Sequence, residues 1–392
     1  MRKPMTRLGE IAQVTSGGTP DRERPEYWGG AIPWVKTSLI QNCEINLADI
    51  DEFITEEGLK KSAAKIIPAG SILMAMIGQG KTRGQVAILN TDAAINQNCA
   101  ALILNQNVDT RYVYQQLLYR YEELRAASNS SGQQNLNAGL IRDFSIPYVD
   151  RCQQSAIGMM LTDWDTAIET TERLIAAKER FHRWLQQRLI EQRAARHHWE
   201  TQELGGLIRE RSERSIQHDE YPVLTSSRRG LFLQSEYFSK QVTSEDNTGY
   251  KIMRRGDFTF RSMSDDGRFV FNRLEKYDTG IISPAYGVFY AEGVCPEFLA
   301  HYLNSSYFAQ LLARETQGGT RKALRFSALA GMEVDLPKRA DQERIAAILD
   351  DSRHEIDLLQ TQLETLRHQK RGLMQKLLTG EWRVPVHEEA TA

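Results

Sequence analysis

The most enzyme-like run in this 392-residue chain is Gly78-Gln79-Gly80-Lys81-Thr82. It follows an apolar stretch and ends in Gly-Lys-Thr, the order with which a phosphate-binding loop wraps a nucleotide and neutralises its charge. Two features count against nucleotide hydrolysis. The pattern needs glycine where Ala75 stands, and the residues that follow, Gly84-Gln85-Val86-Ala87-Ile88, read as a strand. A phosphate loop must instead open a helix whose N-terminus holds the anion. The run reads better as a basic hairpin tip presenting Gln79, Lys81, Thr82 and Arg83, for which a solvated turn is the plain competitor. A P-loop NTPase using Lys81 remains the enzymatic alternative.

Three other polar tips stand out. The run from Ser128 to Asn137 contains Ser131, Gly132, Gln133, Gln134 and Asn135, amides and hydroxyls of the kind that pair with adenine edges or phosphates; taken alone, it reads better as a polar linker. In the second half, Thr316 to Lys322 is again glycine-rich and now basic, with Thr320, Arg321 and Lys322. Arg228-Arg229, Arg261 and Arg268 mark further exposed tips suited to phosphate or guanine, although Asp265 and Asp266 are also placed to pair with them. The remaining chemistry is sparse. His197-His198 sits in a polar stretch, Asp350-Asp351 lies near a helix start, and neither a nucleophile-elbow pattern nor an Asn/Asp-Pro-Pro-aromatic methyltransferase motif occurs. No catalytic constellation and no metal site is expected.

Long helices must position these tips. Ile345, Leu349, Ser352, Ile356, Leu359, Leu363, Leu366, Lys370, Leu373 and Leu377 follow 4,3 spacing, a coiled-coil seam with two polar members. Asp341 is the expected N-cap and Gly380 the expected C-terminal stop. An earlier copy runs through Ile157, Leu161, Trp164, Ile168, Ile175, Leu185 and Leu189, interrupted by Thr171, Lys178 and His182 and flanked by Phe181 and Trp184. Ile157 and Ile345 are 188 residues apart, as are Ile190 and Leu378. Such stripes do not stay single in water, so the two helices are expected to pair antiparallel within the chain. The segments before them echo each other too: Leu8-Gly9 and Leu204-Gly205 open them, and Phe144-Ser-Ile-Pro147 and Val334-Asp-Leu-Pro337 close them. The fold class is mixed α/β (α+β) in a pseudo-two-fold circular repeat. Its expected parts are a domain at 1–149, a helix at 150–198, a domain at 199–337, a helix at 338–380 and a tail at 381–392.

Composition bounds the partners. Forty-nine basic and 51 acidic side chains leave a formal net charge of −2, so any nucleic-acid surface must be local or completed by a partner. No apolar run is long enough for a bilayer, no signal peptide is legible, and four scattered cysteines read as free thiols in a reducing, cytoplasmic setting.

Ser16-Gly-Gly-Thr-Pro20, Pro25-Glu-Tyr-Trp-Gly-Gly30, Ile32-Pro-Trp-Val-Lys-Thr37, Ile95-Asn-Gln-Asn98 and Ser131-Gly-Gln-Gln-Asn-Leu136 together resemble the opening of a target-recognition domain of type I restriction–modification specificity (S) subunits. Pro337, Gln342, Ile345, Leu349 and Leu377-Leu-Thr-Gly380 are similar to that family's spacer helices. The resemblance covers nearly the whole chain. It implies two target-recognition domains separated by two long antiparallel coiled-coil helices, each domain reading half of a split double-stranded DNA target. It implies a non-catalytic chain partnered by two methyltransferase (M) subunits, which carry S-adenosylmethionine and methylate adenine. Restriction (R) subunits, working with ATP and Mg2+, are implied beside them; this chain is expected to bind no cofactor itself. Lys36, Thr37 and Ser38 then join the tips above as expected DNA contacts. Helices of about 57 Å would cap the gap between half-sites at roughly 17 base pairs. The second half lacks the Gly-Gly-Thr-Pro and Tyr-Trp-Gly-Gly runs, which implies unequal half-sites. A coiled-coil scaffold that does not touch DNA is the other reading kept open.

Overall fold

Each heptad stripe becomes one long helix in the computed structural model, which describes residues 4–78, 80–130, 135–192, 199–237, 246–315 and 322–385. The first helix runs Arg151–Gln186 and finishes in a π-helical turn, Gln187–Glu191; the second runs Arg339–Leu378. Burial follows the seam. Ile157, Leu161, Ile175, Ile345, Leu349, Ile356, Leu363 and Leu377 are buried, and Trp164, Ile168, Leu185, Leu189, Leu359, Leu366 and Leu373 are half-buried. The second helix starts two residues before Asp341. That side chain therefore lies in the first turn, where its charge suits the helix dipole and pairs with Arg344. At the other end Gly380 takes φ 83°, and its N–H donates to the Leu377 carbonyl at 3.1 Å.

The chain divides into two units, and both division points fall inside the long helices: Met1–Glu172 with Gln362–Ala392, and Arg173–Thr361. The C-terminal tail thus belongs to the first unit.

In the first unit a five-stranded sheet has the order Ala12–Ser16, Cys99–Leu104, Ile72–Ala75, Val86–Leu89, Cys43–Ile45, antiparallel except for its last pair. A second sheet orders Phe53–Ile54, Trp28–Val35, Ala93–Ile95 and Ile66–Ile67. Glycines let the two sheets meet. The Gly18 N–H donates to the Ile95 carbonyl at 2.9 Å, and the Trp34 indole donates to the Gly18 carbonyl at 3.0 Å. A Cβ on Gly17 would stand 1.8 Å from the Ile95 carbonyl oxygen, so only glycine fits. Leu377 and Leu378 insert into this unit's core beside Leu8, Tyr112 and Ile146. The buried Gln116 amide donates to the Leu378 carbonyl at 3.0 Å, and Gln153 binds the tail at Val384.

The second unit is built on a sheet ordered Ile208–Glu210, Tyr286–Ala291, Phe258–Arg261, Asn272–Arg273. A hairpin, Leu224–Ser227 with Gly230–Leu233, and a pair, Lys251–Arg254 with Thr279–Ile282, lie beside it. Its core is aromatic: Phe258, Phe260, Phe271, Phe289, Phe298 and Phe308 are fully buried, joined by Ile190 and by Ile345 and Leu349 from the long helices.

The repeat extends to individual hydrogen bonds. In the first unit Met5–Arg7 pairs with Ser145–Pro147; in the second, Glu200–Glu203 pairs with Glu333–Leu336. Gln154 accepts the Asp109 N–H at 2.9 Å and donates to the Val149 carbonyl at 2.7 Å. Gln342, 188 residues later, accepts the Cys295 N–H at 2.9 Å and donates to the Pro337 carbonyl at 2.9 Å. Each buried glutamine ties the exit of a strand to the start of a short helix, Thr110–Tyr119 or Pro296–Leu303.

Polar side chains in and beside the seam pair across the helices. In the first unit Asp165 meets Lys370 and Glu172 meets Arg367, so one helix advances as its partner recedes. In the second unit Lys178 meets Glu355 at 2.7 Å and His182 Nδ1 lies 3.2 Å from the Ser352 hydroxyl, again antiparallel. Burial, together with the nearby His301, Arg353 and Arg183, pushes His182 down to about 4, and Asp350 opposes them only in part. The unfolded chain takes up this proton near pH 6.5, the native unit only near 4. The stability gained from a neutral His182 is therefore complete above about pH 6.5 and is lost as pH falls towards 4. Urea titrations at about pH 7.5 and 5 should show a smaller acid loss for His182→Gln than for the parent chain; equal losses would contradict this assignment.

Candidate nucleic-acid interface

In the first unit three segments distant in sequence converge. Strands Ile72–Ala75 and Val86–Leu89 form a hairpin, closed by the Gly84 N–H donating to the Ala75 carbonyl and the Ala75 N–H to the Gln85 carbonyl, each at 2.9 Å. Gly78, Gly80 and Gly84 all take positive φ. A strand, not a helix, follows Lys81, so the geometry that a phosphate loop requires does not form and the NTPase alternative has no support. Lys81 is exposed at the tip, and its carbonyl accepts from the Tyr121 hydroxyl, which Arg125 braces. Thr82 and Gln85 share a surface pocket of about 360 Å³ with Ser38, Ile40 and Gln41. Arg83 is half-buried at the hairpin's base. The Leu136 N–H donates to the Met76 carbonyl at 2.9 Å, which anchors exposed Asn135 next to the same hairpin.

Lys36 and Thr37 are held differently. Lys36 reaches Asp51 at 2.8 Å and Glu52 at 3.3 Å, and Asp51 raises its pKa above the ordinary lysine value. Thr37 donates to the Asn96 side chain at 3.1 Å. Both side chains are engaged within the unit, leaving Ser38 as the exposed member of the trio. Gln79, Ser131, Gln133 and Gln134 lie outside the described residues.

In the second unit the basic tips gather around one groove of about 330 Å³, lined by Ser226, Ser227, Arg228, Arg261, Ser264, Asp266 and Arg268 among others. Arg228 sits at the tip of the Leu224–Ser227 hairpin, where Gly230 turns the chain at φ 123°. Its guanidinium pairs with Asp266. Arg229 turns instead towards aromatic faces, 5.5 Å from the Tyr237 ring and 5.9 Å from that of Phe232. Lys322–Ala323 pairs with Met263–Ser264, which brings the end of the third basic segment to the groove's edge; Thr320 and Arg321 lie outside the described residues.

Composition alone does not single out Gln41, Gln85, Ser226, Ser227 or Ser264. Their only signal is position, next to a turn glycine or an arginine tip. Among the described residues, no group of three or more His, Cys, Asp or Glu is placed to hold a metal, and no helix is long and apolar enough to cross a membrane.

A family model described as the type I restriction modification DNA specificity domain matches the chain twice, over residues 3–179 and 198–368. The specificity subunit of the type I restriction enzyme EcoR124I/EcoR124II from Escherichia coli is 30% identical over 165 residues, 41% of this chain and 40% of that protein. The MjaIX specificity subunit from Methanocaldococcus jannaschii is 29% identical over 170 residues, 43% of this chain and 39% of that protein. The chain thus spans about two fifths of the length of these two relatives. In fold, the chain is similar to the type I restriction–modification S subunit of M. genitalium, with a TM-score of 0.58 over 96% of both chains at 13% identity.

Proposed function

Because the chain belongs to the type I restriction modification DNA specificity family, we propose that it is the subunit that selects DNA for such a system, reading a two-part target with one recognition unit for each part. The observation that carries the reading is the double match of the family model, once over each repeat. Convergent polar tips in each unit support it, since exposed side chains on short turns reach base edges and phosphates.

In this reading, residues 1–149 and 199–337 are the target-recognition domains, 150–198 and 338–380 the spacer helices, and 381–392 a tail. The first domain contacts DNA through Ser38, Lys81, Thr82, Arg83 and Asn135. The second does so through Arg228, Arg229, Arg261, Arg268 and Lys322. With a net charge of −2, phosphate neutralisation is local to these tips or shared with partners. The chain performs no chemistry. Two methyltransferase subunits dock on the long helices and bring S-adenosylmethionine to methylate adenine; restriction subunits add ATP- and Mg2+-dependent cleavage, all in the cytoplasm. Exposed Leu174 and the stacked, exposed Phe181 and Trp184 give the first helix an apolar face outside its seam for such a partner to cover.

Base-substitution scanning of a bound target, with the chain in complex with its methyltransferase subunit, tests the reading. Substitutions should weaken binding in two short tracts and be silent between them. Uniform sensitivity, or a single contiguous tract, would overturn it.

A further inference from the structure

The second unit's groove holds two kinds of arginine. Arg228 is fixed. Asn272 donates to the Ser226 hydroxyl and the Ser227 carbonyl, each at 2.8 Å, and so steadies its hairpin from within. Asp266 grips its guanidinium and is itself pinned by the Ser264 hydroxyl at 3.0 Å and the Arg268 N–H at 3.2 Å. These three partners, Arg228 first, hold the Asp266 carboxyl down to about 2, so it stays ionised. Arg261 and Arg268 are exposed, and among the described residues their side chains have no hydrogen bond or ion pair.

A fixed carboxylate repels phosphate, so the Arg228–Asp266 pair is a poor phosphate site. It repels an uncharged base edge far less, because acceptor atoms there carry only partial charge. A guanidinium fork with one side held by a carboxylate keeps its other N–H groups in a fixed plane, which suits a ligand with two coplanar acceptors. In the major groove that ligand is guanine, through O6 and N7. Phosphate, by contrast, suits Arg261 and Arg268, whose guanidinium groups have no carboxylate partner among the described residues.

We infer that Arg228 reads a G·C pair in the half-site bound by the second unit, that Asp266 is its positioning residue, and that Arg261 and Arg268 hold flanking phosphates. This rests on the proposed role as a DNA specificity subunit.

The test uses the full chain with its own methyltransferase subunit in a host whose chromosome is sequenced for methylated adenine, comparing the parent with Arg228→Lys, Arg228→Ala, Asp266→Asn and Arg261→Ala. Lysine keeps the charge but not the fork. Arg228→Lys and Arg228→Ala should relax one G·C position in one half of the motif, losing roughly 5- to 150-fold of discrimination there. Asp266→Asn should relax the same position more weakly. Arg261→Ala should leave the motif unchanged and lower binding at all sequences, with a salt slope shallower by about 0.9. If Arg228→Lys directs methylation to an unaltered motif, or if Arg261→Ala relaxes the same position, the inference is overturned. If the parent chain directs no methylation at all, it is the specificity-subunit reading that fails.

Discussion

Gly17→Ala is expected to cost the first unit about 4 kcal/mol or more, the range reserved for substitutions that force backbone apart. The added Cβ would stand 1.8 Å from the Ile95 carbonyl oxygen and 2.5 Å from its carbonyl carbon, and neither is the end of a flexible side chain. The neighbouring bond from the Gly18 N–H to that same oxygen at 2.9 Å fixes the approach, and the Trp34 indole holds Gly18 from the other side. Relief therefore requires moving Ala93–Ile95 away from Ala12–Ser16, which opens the junction of the two sheets. Gly372→Ala, on an exposed turn of the second long helix with open space around its Cβ, is the matched control; it should stabilise by about 0.5–1 kcal/mol. Urea denaturation of both variants reads the contrast. Parent-like stability for Gly17→Ala would show that the glycine pair is not a packing device.

Gln342→Leu is expected to destabilise the second unit by about 2–5 kcal/mol, since two buried backbone groups, the Cys295 N–H and the Pro337 carbonyl, lose their partner while leucine fills the volume. Gln342→Glu, which sets a buried carboxylate against the Pro337 carbonyl at neutral pH, should cost at least as much as leucine. Denaturation midpoints check this, and a neutral leucine variant would mean the clamp contributes little. The same loss is expected at Gln154, whose partners are the Asp109 N–H and the Val149 carbonyl.

That pairing of glutamines marks what was legible in the sequence. The 4,3 spacing of Ile345 to Leu377 dictates which face is buried, and burial follows it residue by residue, because periodicity is a property of the helix alone. The 188-residue repeat of Gln-x-x-Ile is visible for the same reason, although the clamp it forms is not. The tips were legible as turns but not as sites. Lys36 looks like a free cation until Asp51 and Glu52, 15 and 16 residues away, engage it. Gly17-Gly18 is legible only as part of a family-like run until Ile95 is brought against it. Arg228 and Asp266 are 38 residues apart; an Asp–Arg pairing at these tips is legible from residue type, but which arginine Asp266 takes is not. Long-range pairing of short strands decides all three, and local spacing along the chain does not specify it.

Under the proposed function this chain, and not its partners, chooses a two-part DNA target. Sequencing methylated adenines in a host with and without the gene for this chain tests it most directly. Methylation is expected at one motif of two specified parts separated by an unspecified gap of fixed length, and it should be lost entirely when the chain is absent. Methylation that persists without the chain, or that falls on a single contiguous motif, would contradict it.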